Sequence, residues 1–257
     1  MVKLPDNPNE FRMSLGEHLD ELRRRLLYAL CGVGLVTALS LVFGRRLIYF
    51  VVMPVQRAVQ EITAEGGPAL VVLSPTEAFI VTIKTAFIVS VVISSPWVLY
   101  QLWLFVAAGL YRHERRVVYF FVPFSAALFI AGTVFAYTVV LKHGLRFLLA
   151  FAGLTDTLIT PSITLASAVS FVTVLSVVMG AVFQLPLVMM ILAMVGITDT
   201  DTYIKNWRYA VGGTFLVAAV MTPPDVFTQV MMAGPMIALY WLGVGLSKVF
   251  VRKKQRM

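Results

Sequence analysis

Six apolar stretches, 26–43, 79–105, 117–141, 165–195, 209–221 and 227–246, divide this chain, with charged or turn-forming residues between them. The first, Leu26–Phe43, runs 18 residues without a charge. At about 1.5 Å per residue, helices of this size reach across a hydrocarbon core about 30 Å thick. Lipid offers no partner for backbone N–H and C=O groups, so each stretch must satisfy its own by forming a helix. Overall, 59% of the 257 residues are apolar and only 13% are charged. A soluble domain carries about 25% charged residues. The expected fold is an all-α membrane protein: one integral membrane domain over 1–257 with six spans, the last two short.

The connections carry the remaining detail. Residues 44–76 are expected to form a long polar connection and 142–164 a polar loop broken by Gly153 and Pro161. Lys84 sits near the start of the second block and is expected to snorkel to the headgroups. The fourth block has 31 residues and must tilt or kink, and the fifth, at 13 residues, spans only about 20 Å. Pro96, Pro123, Pro186 and Pro235 lie inside blocks, where each is a candidate kink. Asp225 is a candidate N-cap after Pro223-Pro224, and Pro54 a turn former.

Charge sets the topology. Fifteen of the 21 Lys and Arg residues lie before the first block, in the second and fourth connections and in the tail; five lie in the other connections, and Lys84 is the last. Cytoplasmic loops hold the excess of cations, which puts both termini in the cytoplasm. The segment Met1–Phe11 is too polar for a cleaved signal peptide. The net charge of +8 is spread between apolar blocks, so its expected partner is anionic lipid rather than nucleic acid.

A short charged helix precedes the first span. Leu15, Leu19, Leu22 and Leu26 form one helical stripe, and Ser14 with Glu17 reads as a capping box. Glu21 and Glu114 both fall on the expected cytoplasmic face among arginines. A carboxylate at headgroup depth in an anionic leaflet calls for a cationic partner. That partner is either a positive ligand or a neighbour: Arg25 for Glu21, Arg115 or Arg116 for Glu114.

Catalysis finds no support. The lone Cys31 excludes an intramolecular disulfide, and His18, His113 and His143 lie at span ends. There is no His-Glu-x-x-His, no Gly-x-Ser-x-Gly and no nucleotide-binding loop. No cofactor or metal is expected. The rival reading, a secondary transporter of a small solute, predicts inverted repeats and ionisable residues at mid-membrane. No repeat is evident, and the polar residues there, Gln101, Gln184 and Gln229, are neutral.

Six motifs in order resemble a known family: His18-Leu-Asp-Glu-Leu-Arg23, Ser74-Pro-Thr-Glu-Ala-Phe79, Pro96-Trp-Val-Leu-Tyr-Gln-Leu-Trp-Leu-Phe105, Leu110-Tyr-Arg-His-Glu114, Phe183-Gln-Leu-Pro186 and Thr222-Pro-Pro-Asp-Val-Phe-Thr-Gln229. Together they are similar to TatC, the large multispanning subunit of the twin-arginine protein translocase. The resemblance implies a cupped-hand helical fold in the cytoplasmic (inner) membrane. It also implies a receptor for signal peptides bearing two adjacent arginines, in an export complex for folded proteins driven by the proton-motive force.

By that pattern Glu21 and Glu114 receive the arginine pair, with His18, Leu22 and Arg23 shaping the same surface. Pro54, Glu77, Phe79 and Asp225 match family positions on the far side of the membrane. The implied partners are single-span subunits of the TatA and TatB type, in homo- and hetero-oligomers. Gln184 replaces a glutamate that many relatives carry; with Gln229 it is a candidate polar contact to a partner helix or a hydrogen bond within the fold. Ala107-Ala108 stands where the family usually has a proline.

Overall fold

The structure, a computed structural model, describes residues 15–62, 70–109, 112–153, 163–221 and 226–255. These form α1 (Leu15–Val42), α2 (Gly44–Ile62), α3 (Pro75–Ile93), α4 (Ser95–Ala108), α5 (Arg112–Phe135), a π-helical turn (Ala136–Val140), α6 (Leu141–Gly153), α7 (Leu165–Val182), α8 (Leu185–Val195), α9 (Thr200–Lys205), α10 (Trp207–Met221) and α11 (Val226–Gln255). Among the described residues the one departure from helix pairing is an isolated bridge between Val71 and Thr164. Five helical stretches are long and apolar enough to cross a membrane: Gly16–Val42, Pro75–Ile93, Phe120–Leu149, Leu165–Val195 and Val226–Phe250. With the 15-residue Trp207–Met221, all six expected blocks are helical.

Proline acts in two ways. The second block breaks at Ser94, before Pro96, into α3 and α4, and the fourth breaks at Phe183–Gln184, before Pro186, into α7 and α8. In each case the proline occupies the second helical position, where its missing N–H costs nothing. Pro123 and Pro235 instead lie inside α5 and α11.

Five expectations are corrected. Residues 44–62 are not a polar connection but the helix α2, whose positions Val51, Val52, Val55, Ala58 and Val59 are buried at helical spacing. Pro54 therefore sits within a helix and forms no turn. The third helix does not end at Leu141; it passes through the π turn and continues as α6 to Gly153. Lys84 does not extend to the headgroups. Its Nζ donates to Ser170 Oγ on α7 at 2.7 Å, which draws the ammonium sideways to a polar atom of its own fold. Only the fifth span is short, because α11 runs 30 residues to Gln255.

Buried side chains gather in two clusters. One joins α2, α3, the π turn, α6 and α7 around Val55, Leu141, Val172 and Met179. The other joins α4, α5 and α8 around Leu99, Trp103, Phe121, Leu187 and Met190. Two glycines let α5 approach α7 and its C-cap: a Cβ on Gly132 would sit 2.6 Å from the Met179 carbonyl oxygen, and one on Gly180 would sit 2.9 Å from the Phe129 ring.

Candidate functional site

The first turns of α1 bring the candidate residues to one end of the molecule. Glu21 is the one charged side chain buried among the described residues, 8% exposed. Its Oε1 accepts from Arg25 Nε at 2.6 Å, and its Oε2 accepts from Arg24 Nη2. Arg25 Nη1 in turn donates to the Oε1 of buried Gln101 on α4, at 3.2 Å. The neighbour pairing considered from the sequence is thus present, with Arg24 added to it. The two arginines differ: the side chain of Arg24 is 57% exposed and that of Arg25 21%.

His18 stacks on Phe105 of α4 with ring centroids 4.4 Å apart. Its Nδ1 is buried without a hydrogen-bond partner among the described residues. A Cβ on Gly109 would lie 3.3 Å from the His18 ring, so the start of α1 packs against the end of α4. Arg23 and Leu22 are exposed, as are Leu19 and Leu26 on the same stripe. This apolar stripe has no covering partner within the described chain. Glu114 falls in the first turn of α5, where the helix dipole favours an acid. Its side chain lies outside the described residues, as do those of Arg115 and Arg116.

The other candidates are distributed elsewhere. Gln184 precedes α8 and reaches α5: its Oε1 accepts from Ser125 Oγ at 2.6 Å, and its Nε2 donates to the Ser125 carbonyl at 3.0 Å. A carbonyl only accepts, so this pair of contacts fixes the amide orientation. Gln229 of α11 donates from Nε2 to the Phe215 carbonyl of α10 at 3.0 Å. Both amides are spent on contacts inside the fold.

At the opposite end, Glu77 in the first turn of α3 accepts from the backbone N–H of Leu73 at 2.6 Å and of Ala166 at 3.0 Å. It fastens the start of α3 to the start of α7, beside the Val71–Thr164 bridge. Phe79 is exposed and Pro54 half-buried, whereas Asp225 and Ser14 lie outside the described residues.

Sequence reasoning missed Arg24, Gln101 and Phe105 as parts of the Glu21 and His18 environment. Arg24 was visible at three residues from Glu21, a spacing at which helical side chains meet. Gln101 and Phe105 come from another helix, and no local pattern ties them to α1.

A family profile described as Sec-independent protein translocase protein (TatC) matches residues 17–235. The chain belongs to the TatC family. Relatives named Sec-independent protein translocase protein TatC agree over nearly the whole length. The Aquifex aeolicus protein is 34% identical over 95% of this chain and 99% of its own. The Carboxydothermus hydrogenoformans protein is 36% identical over 95% and 96%, and that of Escherichia coli K12 is 35% identical over 92% and 88%. A solved crystal structure of the twin arginine translocase receptor TatC superposes with a TM-score of 0.77 at 33% identity, covering 91% of this chain and 99% of that one. The chain is therefore a multi-pass membrane protein with the TatC fold, a component of Sec-independent protein translocation.

Proposed function

We propose that the chain is the receptor and core subunit of a twin-arginine translocase in the inner membrane. With both termini in the cytoplasm, it binds twin-arginine signal peptides of folded cargo at its cytoplasmic face. It then nucleates, with single-span TatA- and TatB-type subunits, an export complex driven by the proton-motive force. The observation that carries this reading is Glu21. A buried carboxylate lies beside an uncovered leucine stripe, and one of its oxygens is held by the exposed Arg24.

An arriving guanidinium replaces Arg24 at Oε2 without loss of a charge-assisted bond, while Arg25 and Gln101 keep the carboxylate aimed. Guanidinium matches carboxylate as a planar fork, which lysine does not reproduce. Such bonds contribute about 1.5–3 kcal/mol each. One pair at Glu21 and one at Glu114 give about 3–6 kcal/mol, against about 8 kcal/mol for micromolar binding. Exchange with Arg24 lowers the net gain further. Apolar contact along Leu19, Leu22 and Leu26 makes up the rest, at least about 80–200 Å² of buried surface. Charge selects the tag and apolar contact retains it.

Two features bear on assembly and coupling. At about 22 Å, α10 is shorter than the hydrocarbon core and thins the bilayer beside it, where partner spans gather. Gln184 does not ionise and is tied to Ser125, so the proton gradient acts elsewhere in the assembly.

The test is binding of a twin-arginine signal peptide to vesicles containing the protein, with a Lys-Lys peptide as the control. The wild type is expected to prefer the arginine pair, and Glu21→Lys with Glu114→Lys to abolish that preference. Discrimination that survives the double change overturns the assigned surface.

A further inference from the structure

The end of the molecule opposite Glu21 holds a second charged feature that the receptor reading does not use. Arg57 of α2 and Lys142 and Arg146 of α6 line a pocket of about 260 Å³, whose walls include Pro54, Tyr137 and Thr138. Among the described residues no carboxylate lines it. The sequence dictates the convergence. With Val51, Val52, Val55, Ala58 and Val59 turned into the core, Pro54 and Arg57 lie one turn apart on the rim of α2. Thr138, Lys142 and Arg146 recur every fourth residue, which stacks them on one face of the continuing helix.

The wall is fixed before any ligand arrives. The Tyr137 hydroxyl donates to the Phe50 carbonyl, and the two rings stack 5.3 Å apart at 7°. Among the described residues neither Arg57 nor Lys142 makes a hydrogen bond or ion pair. These two like charges, facing one concavity, repel each other unless an anion sits between them.

We propose that this pocket binds the phosphodiester headgroup of an anionic phospholipid. Depth and surroundings favour a lipid over a soluble anion. The 25 uncharged residues 117–141 cover about 37 Å of helix, more than the hydrocarbon core of about 30 Å, so Lys142 on the continuing helix lies at headgroup level. The exposed Tyr49, Phe50 and Val134 flank the site and give acyl chains an apolar surface to lie along. Arg57 and Arg146 supply planar donors suited to phosphate oxygens, and Lys142 a point charge. The site does not depend on the signal-peptide reading.

The experiment is native mass spectrometry of the full chain released from neutral detergent, titrated with phosphatidylglycerol, phosphatidylcholine or inorganic phosphate. Phosphatidylglycerol is expected to form a one-to-one adduct that phosphatidylcholine does not match. Arg57→Gln with Lys142→Gln and Arg146→Gln is expected to weaken it about tenfold or more. The control, Arg45→Gln with Arg46→Gln, removes exposed cations at the start of the same helix and is expected to leave the adduct intact. Circular dichroism checks the fold; if the triple variant does not fold, Arg57→Gln alone, at an exposed side chain, is expected to weaken the adduct in the same direction. Equal retention by the folded variant and the wild type, or equal loss in the control, overturns the site. Inorganic phosphate binding as tightly as phosphatidylglycerol overturns the assignment to lipid.

Discussion

Replacing Ser125 by alanine tests whether Gln184 is a tie between α5 and the start of α8. Ser125 is fully buried and gives two contacts to Gln184, through its hydroxyl at 2.6 Å and its carbonyl at 3.0 Å. Ser125→Ala removes only the first and leaves Gln184 Oε1 without that donor. Hydrogen bonds between membrane helices average about 0.6 kcal/mol and reach about 1.7. A short contact shielded from water belongs in the upper part of that range, so the expected cost is about 1–1.5 kcal/mol. Gln184→Leu removes both contacts and is expected to cost about 1.5–2.5 kcal/mol. Once Gln184 is gone the hydroxyl has lost that acceptor, so the double variant should cost little more than Gln184→Leu alone. The coupling energy is then about 1 kcal/mol. Reversible unfolding in bicelles, followed for the wild type, both single variants and the double, measures it. Additivity within about 0.3 kcal/mol refutes the tie.

Two further outcomes follow from the packing. In the same assay Gly132→Ala is expected to cost about 1–3 kcal/mol, because its methyl meets the backbone oxygen of Met179. Gly180→Ala should cost less, since the Phe129 ring and Thr133 side chain can shift, and Gly212→Ala, with nothing within 4 Å, should gain up to about 1 kcal/mol of helix propensity. An inverted order between Gly132 and Gly212 would contradict the close α5–α7 approach. Glu77→Ala is expected to speed amide hydrogen exchange at Leu73 and Ala166 together; unchanged exchange at either site shows that the carboxylate does not hold it.

The spans were legible because lipid imposes a strong composition rule: long uncharged runs between charged ends. The break before Pro186 was legible too, since 31 residues exceed the bilayer and proline marks where a helix parts. What escaped was contact between distant segments. Ser125 and Gln184 are 59 positions apart, and nothing local to either predicts the pair. Lys84 read as a helix-end cation because its partner Ser170 belongs to another helix. Helix α2 was legible in principle, since Ile48, Val51, Val52, Val55 and Val59 keep helical spacing, but Arg45, Arg46 and Glu61 drew attention to its polarity instead. The family motifs pointed to Glu21, yet not to the exposed Arg24 that bonds its carboxylate.

The two apolar clusters lie one above the other across the membrane, and the break between α7 and α8 falls at the seam. At that level the chain spends an amide and a hydroxyl on each other, where a continuous helix would have carried packed methyl groups. The molecule is in effect two stiff storeys joined by a few through-going helices and one polar stitch. The interruption of the fourth span therefore lies where the two storeys meet, and the storey that contains Glu21 is packed as a unit on its own side of it.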